Sequence, residues 1–497
     1  MRLKIQQIAN VSLIILLLTG SVFASNGTQI GTVGARSTSM GSAFRGLADD
    51  WSAMFFNPAG LTQLEGWTIG FSGGLIAPRG NYEPAPYSVF PFSGLSTGVV
   101  DAEPNNFFVP SIGIFKQLNE KTVVGLGVYA PFGLGTEWDL VSLPADYGNV
   151  AGISKENEHF SDHQVISIQP TVAYQVSDKL SVGVGFCYMW GKMDLDQLAL
   201  AYNPALQSWT NLTVGLASMG VALEPLTADQ YRLAVETNLS GTGSAYGVNA
   251  GFLCKIAEKL NLGASVRYST ALALSGTFKK TYLFHGDAEK LATLNAIPAA
   301  TLGGEATKQS LMAVFSGQSS SVEEDGDADL PLPMTVGAGL SYKALEKLTL
   351  TVDASWTNWA SWDVISMELE SGEEVTIKKD WVNTVEIGAG AEYLAMDNGT
   401  QQVFVRGGFY TVDTPSPDET MSPTILDPSR RSVITAGLGL NVGKWSFDLS
   451  GEYVLFGEKD IPASEYVYDA STGIADNYAG IYNFKAYVVT LGASVSL

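Results

Sequence analysis

Residues able to do acid–base, nucleophilic or metal chemistry are few and scattered. The 497 residues include three histidines, His159, His163 and His285, and two cysteines, Cys187 and Cys254. Hydrolysis would need a nucleophile, a base and an orienting group within hydrogen-bond reach. No Cys-x-x-Cys pair or His-Glu-x-x-His helix accompanies the histidines, which fall in or beside long connecting segments where solvated rings are expected. The chain is therefore read as no enzyme, with no cofactor. The run Glu323-Glu324-Asp325-Gly326-Asp327-Ala328-Asp329 sets carboxylates at alternate positions, which could hold Ca²⁺, but it lacks the EF-hand ligand spacing. It is read as solvated loop charge, and no metal site is assigned. Gly437-Leu438-Gly439 opens no helix, so a nucleotide-binding loop is excluded, and small residues facing an interior explain it.

The elements that hold these residues alternate strictly. Leu180, Val182, Val184, Phe186, Tyr188 and Trp190 interleave with Ser181, Gly183, Gly185, Cys187 and Met189. Leu348, Leu350, Val352, Ala354 and Trp356 interleave with Thr349, Thr351, Asp353, Ser355 and Thr357. Period two with one oily and one polar face marks strands, and a barrel in lipid turns its oily set outward. Such segments are expected near 66–77, 106–117, 121–131, 164–176, 179–193, 241–256, 259–279, 332–344, 347–359, 383–394, 401–410, 431–442, 445–456 and 484–497. Six tight turns rich in Asn, Asp, Glu, Gly and Lys interleave with seven long connections, which puts both chain ends on the periplasmic side of an outer-membrane barrel. The fold expected is all-β: a fourteen-stranded antiparallel transmembrane barrel. A soluble sandwich would carry more charge on its polar face than the 16% charged residues here.

Arg2 and Lys4, an apolar run from Val11 to Leu18 and the small-residue site Val22-Phe23-Ala24 form a secretory signal peptide over 1–24. No other apolar run approaches the length of a membrane helix, and mean hydropathy is only +0.13. Loss of the signal takes the net charge from −22 to −24, so the chain would repel nucleic acid. Alternation places Cys187 inward and Cys254 outward at different heights, which predicts two free thiols. It places Arg267, Asp353, Glu386, Glu392, Arg406, Asp448 and Glu452 inward, since charge facing lipid is costly. Trp67, Trp190, Trp356, Trp359 and Trp445 are expected in aromatic girdles at the lipid boundary.

Residues 25–65 precede the barrel (66–497) and do not alternate. Asn57 at the first position, Pro58 at the second and Gly60 at the fourth suit a type I turn, with Ala59 between them. A small-residue, apolar segment at the periplasmic mouth finds a dry surface only by entering the lumen as a plug, and fourteen strands leave room for one.

The stretch ending Phe56-Asn57-Pro58-Ala59-Gly60-Leu61 resembles the hatch signature of the FadL/TodX family of outer-membrane transporters for long-chain fatty acids and other hydrophobic compounds. Ala130-Pro131-Phe132-Gly133, Ile168 to Tyr174, Leu332 to Gly339 and Trp356-Thr357-Asn358-Trp359 extend the likeness along the mature chain. The resemblance implies an N-terminal hatch, ligand capture at the extracellular side and release sideways at a kinked third strand. Pro131, Phe132 and Gly133 stand where that kink would fall, and Pro131 lacks the N–H a ladder needs; equally, Pro131 could simply end the strand. The resemblance also makes Asp353 and Arg406 lumen-wall residues that hold the hatch by hydrogen bonds to its turn. Leu206, Trp209, Leu212, Leu311 and Phe315, apolar in loops that should be polar, are candidates for a ligand groove. The final Leu497 departs from the terminal aromatic usual in such barrels.

The function expected is passive outer-membrane transport of a hydrophobic small molecule or fatty acid by a monomer surrounded by outer-membrane lipid. An open diffusion porin for polar solutes and a surface adhesion or receptor barrel are the alternatives.

Overall fold

The computed structural model describes residues 27–31, 33–85, 98–138, 159–202, 206–217, 225–226, 232–284, 286–422, 427–462 and 479–497. The signal peptide expected over 1–24 and His285 lie outside the described residues.

The alternating segments form fourteen wall strands. These are β1 (Trp67–Pro84), β2 (Phe107–Asn119), β3 (Thr122–Trp138), β4 (His159–Ser177) and β5 (Leu180–Tyr202). β6 is Arg232–Ala257, β7 is Leu260–Ser269 continued by Leu272–Leu283, and β8 is Ser319–Leu330 continued by Thr335–Leu345. β9 (Leu348–Thr357), β10 (Thr384–Asp397), β11 (Gln401–Val412), β12 (Arg431–Val442), β13 (Trp445–Phe456) and β14 (Gly480–Ser496) complete the set. Each pairs antiparallel with the next, and β14 returns to β1 from Thr68↔Ser496 to Pro84↔Gly480. Closure matters because hydrocarbon offers no partner to a free peptide group, so only a ladder without edges can span it with strands. No helix among the described residues is long and apolar enough to cross a membrane.

The two faces separate as the alternation requires. On β5, Val184 is 45% exposed and Phe186 50%, whereas Cys187 and Met189 are 1% exposed. Trp67, Trp190 and Trp445 stand on the outer surface. Cys187 faces Gly247, and Cys254 faces Leu180, seven residues away along β5, so both thiols are free.

Three expectations fail where the wall rises beyond the oily belt. β4 begins at His159, β5 continues to Tyr202 and β6 starts at Arg232, because ladder hydrogen bonds carry strands onward where neither face is oily enough to show a period. His159 and His163 consequently lie on the inner phase of β4, buried opposite Gln197 and Met193 rather than solvated. The acidic run Glu323–Asp329 belongs to the Ser319–Leu330 part of β8, where Glu323 pairs with Lys279 across the ladder. Trp359 is no girdle residue: it follows β9 in a 3₁₀ turn, where strand phase is lost, and is fully buried against Trp362 and Trp381.

A charge on the outer face should expose this geometry. Val184→Arg is expected to destabilise the barrel by roughly 2–4 kcal/mol if it meets the bilayer midplane, read as a lower denaturant midpoint for unfolding from phospholipid vesicles, whereas Val184→Leu should leave the midpoint nearly unchanged.

Candidate functional site: the inner wall and the N-terminal segment

The segment before β1 folds as two short helices, α1 (Ala35–Ser39) and α2 (Ala53–Phe56), and a 3₁₀ turn over Pro58–Gln63. Asn57 makes the corner. Its backbone is extended, its Oδ1 accepts from Ala59 N (3.2 Å), and its carbonyl accepts from Gly60 N (2.9 Å), as the Asn-Pro-Ala-Gly spacing predicts. Its Nδ2 donates to the carbonyls of Arg45 (3.0 Å) and Phe252 on β6 (2.9 Å), tying corner to wall.

In α2 the Ala53 carbonyl accepts from Asn57 N (2.9 Å), but a helix this short leaves its last carbonyls without internal partners, and the wall supplies donors for them. Gln169 Nε2 donates to Met54 O (2.7 Å), and Asn249 Nδ2 to Met54 O (2.9 Å) and Phe55 O (3.0 Å). Ser265 Oγ donates to Phe56 O (2.7 Å). Arg267 Nη2 donates to Phe55 O (2.7 Å), and its guanidinium lies 3.9 Å from the centre of the Phe55 ring.

Backbone can come this close only where the wall lacks side chains. A Cβ on Gly183 would meet the Pro58 carbonyl group, one on Gly251 the Asn57 amide, one on Gly263 the Arg45 carbonyl and one on Gly408 the Gly41 amide. Gly437, read above as a small residue facing an interior, faces Ser39.

Ion pairs fasten the opposite side. Asp353 on β9 accepts from Arg45 N (2.9 Å) and Arg45 Nη1 (2.5 Å). Arg36 donates to Asp49 (2.6 Å) and to Glu392 on β10 (2.8 Å); Glu392 also takes Arg406 Nε (2.6 Å), and Arg406 Nη1 reaches Asp448 on β13 (2.6 Å). Asp353 thus touches the segment directly and Arg406 through Glu392. The same charges line a cavity of about 310 Å³ that Ser494, Ser496 and Asn441 place toward the periplasmic turns. Burial pushes the Asp50 carboxyl there up to about 6 against the pull of Arg36. At the segment's start, Gly27 N donates to Asp427 Oδ2 (2.9 Å), which also accepts from Arg431 (2.8 Å). Gln169, Asn249, Arg36 and Arg45 carry much of this and were not singled out from sequence, although the inward phase of Gln169 and Asn249 was available as a signal.

Above the segment, toward the long loops, the buried lining is aromatic and aliphatic, with Tyr82, Phe107, Trp138, Tyr410, Tyr482 and Phe484 in one cluster. The third strand breaks step here. β2 and β3 pair only as far as Ile112↔Val128, although β2 continues back to Phe107 and β3 on to Trp138. Against β4 the register slips between Tyr129 and Phe132, at Ala130 and Pro131. Pro131 therefore does not end the strand. Its freed edge binds the N-terminal segment: Ile30 N donates to Pro131 O (2.9 Å) and Gly133 N to Thr28 O (2.8 Å), around the bridge Gln29↔Phe132.

Trp209, Leu212, Leu311 and Phe315 come together in the loops, where α3 (Leu206–Ala217), α4 (Ala288–Ala296) and α5 (Glu305–Val314) bury a shared cluster with Leu294 and Leu302. The side chain of Leu206 lies outside the described residues. Trp209 and Phe315 meet edge to face at 4.9 Å between ring centres.

Comparison with known proteins agrees with this architecture. The profile of the outer membrane protein transport protein family (OMPP1/FadL/TodX) matches residues 15–497. A long-chain fatty acid transport protein of Escherichia coli O6:H1 is 21% identical over 398 residues, 79% of either chain. Among solved structures, a Pseudomonas aeruginosa FadL homologue superposes with a TM-score of 0.68 at 16% identity, covering 95% of this chain and 99% of its own. The Pseudomonas putida toluene transporter TodX superposes with a TM-score of 0.64 at 16% identity, covering 94% of this chain and 99% of its own. The chain belongs to the OMPP1/FadL/TodX family of outer-membrane transport proteins, which are transport channels and not enzymes.

Proposed function

We propose that this barrel carries hydrophobic compounds, long-chain fatty acids or aromatic hydrocarbons, passively across the outer membrane. Residues 25–65 act as a hatch in its bore. The observation that carries the reading is the break between β2 and β3, faced on the inside by the apolar lining and held by residues 28–30 of the same segment. A related protein is named for long-chain fatty acid transport and a structural neighbour for toluene transport, which supports both substrate classes.

In this reading a ligand is captured among the loop helices, parting side chains such as Trp209, Leu212, Leu311 and Phe315, and passes to the aromatic lining above the hatch. Residues 28–30 then leave the edge of β3, and the ligand moves out sideways past Pro131, Phe132 and Gly133 into the bilayer. Two features favour motion of the hatch. Beside apolar packing, its grip on the wall includes many polar contacts, which can be exchanged for water as the segment shifts. The cavity beneath it is lined by charge, which favours water there. The sideways route spares an oily ligand this polar compartment. Nothing in the chain supplies energy, so a gradient maintained by later consumption of the ligand drives flux.

Cells expressing the protein should take up labelled oleate or toluene faster than cells with an empty vector; equal rates with both, in the presence of correctly inserted barrel, defeat the proposal. Asp353→Ala strands the Arg45 charge against the wall, a loss of roughly 3–5 kcal/mol for a buried pair. It should raise the conductance of the barrel in planar bilayers severalfold while its heat-modifiable mobility on gels is retained. Pro131→Val combined with Phe132→Thr restores pairing capacity to β3, and uptake should fall severalfold; an unchanged rate would argue for an exit into the periplasm.

A further inference from the structure

Glu452 lies on the inner face of β13, 5% exposed, and its Oε1 has no hydrogen-bond partner among the described residues. The arginines of this side of the bore are committed to other carboxylates. Arg36 holds Asp49 and Glu392, Arg406 holds Glu392 and Asp448, and Arg431 holds Asp427. Burying a carboxylate without a countercharge is expensive, so a positive group belongs beside it.

Three more oxygens without partners gather next to it. Ser450 and Thr490 oppose each other across the β13–β14 ladder, both buried on the inner face, and neither hydroxyl makes a hydrogen bond. Opposed residues hold their Cβ atoms about 5 Å apart, so hydroxyls that do not meet have room for a small guest between them. α1 covers this spot from the bore side. It lies across β12, β13 and β14, with Ala35 against Gly492 and Ser39 against Gly437, the ladder partner of Ser450. Thr38 follows Ala35 by three residues and shares the face turned to the wall. It is fully buried, and its Oγ1 also lacks a partner. Glu452 is the next inward residue after Ser450, and its ladder neighbour Thr435 binds the Ser39 carbonyl (2.8 Å) and the Gly41 amide (3.1 Å).

We propose that Thr38, Ser450, Thr490 and Glu452 form a site for a monovalent cation, sodium, between α1 and the wall. The donors are all oxygen, as hard cations prefer. They carry one formal negative charge, which balances a single positive charge and leaves a divalent ion half compensated. The periplasmic cavity gives the ion its approach. Ser446 and Asp448 precede Ser450 on the same face of β13 and line that cavity, where Asp49, Asp50, Glu392 and Asp448 outnumber Arg36 and Arg406. An excess of carboxylates raises the local concentration of cations. Once bound, the ion pins α1 to β13 and β14, adding to the bonds through Thr435. The site is independent of what the barrel carries.

The test is sodium NMR relaxation on the purified full-length protein in non-ionic detergent, titrated with sodium chloride while choline chloride keeps the ionic strength constant. Wild type should show saturable excess relaxation, and its denaturant midpoint should be higher in sodium than in choline. Glu452→Gln keeps the shape without the charge and should weaken sodium binding about tenfold or more. Thr490→Val removes one oxygen and should weaken it by about threefold or more, while its midpoint in choline is no lower than that of wild type, since a buried hydroxyl without a partner has gone. Absence of saturable relaxation in wild type would mean that a proton on Glu452 and buried water serve in this place. Unchanged affinity in Glu452→Gln would put the ion elsewhere, in the periplasmic cavity. Either result overturns the proposal.

Discussion

Every peptide group held at the depth of a membrane must find its partner inside the protein, because the hydrocarbon has none to give. The wall meets this demand by closing upon itself. The irregular segment before β1 cannot, since its four-residue helix leaves the carbonyls of Met54, Phe55 and Phe56 to be paired from outside it. Gln169, Asn249, Ser265 and Arg267 provide what the segment lacks, and glycines on the inner face let its backbone approach those donors. The same demand explains the third strand. Where β3 parts from β2, its exposed N–H and C=O groups are taken up by Thr28 and Ile30, so the break is tolerated because another piece of chain stands in as a neighbour.

Charge is sorted along the axis as well as across the wall. Toward the periplasmic turns the interior holds Arg36, Asp49, Glu392, Arg406 and Asp448 around a cavity; toward the loops Tyr82, Phe107, Trp138 and Tyr482 line it together with the buried Arg431–Asp427 pair. Acidic residues on the outward extensions, such as Glu323 and Glu324, accompany strands that stand clear of the bilayer and have no need of an apolar face.

The wall was legible in the sequence because lipid outside and polarity inside impose one period on every spanning strand, and the alternation of β5 and β9 could be read residue by residue. Legibility stopped at the membrane boundary. His159 and His163 were read as solvated because their neighbours show no oily face, yet the ladder of β4 carries them into the interior. Trp359 was misplaced because a turn resets the phase that serves well up to Thr357. Within the segment, Asn57-Pro58-Ala59-Gly60 announced its corner through local turn chemistry, whereas the pairing of Arg45 with Asp353 joins residues 308 positions apart and has no local signature.

That separation bears on how the chain is made. The first described residues are gripped by groups that follow hundreds of positions later: Gly27 by Asp427, Gly41 by Thr435, Gly46 by Ser341. Such long-range closures are entropically the most delayed of all contacts. The portion synthesised first thus has its partners made late, on β8, on β12 and just before β12.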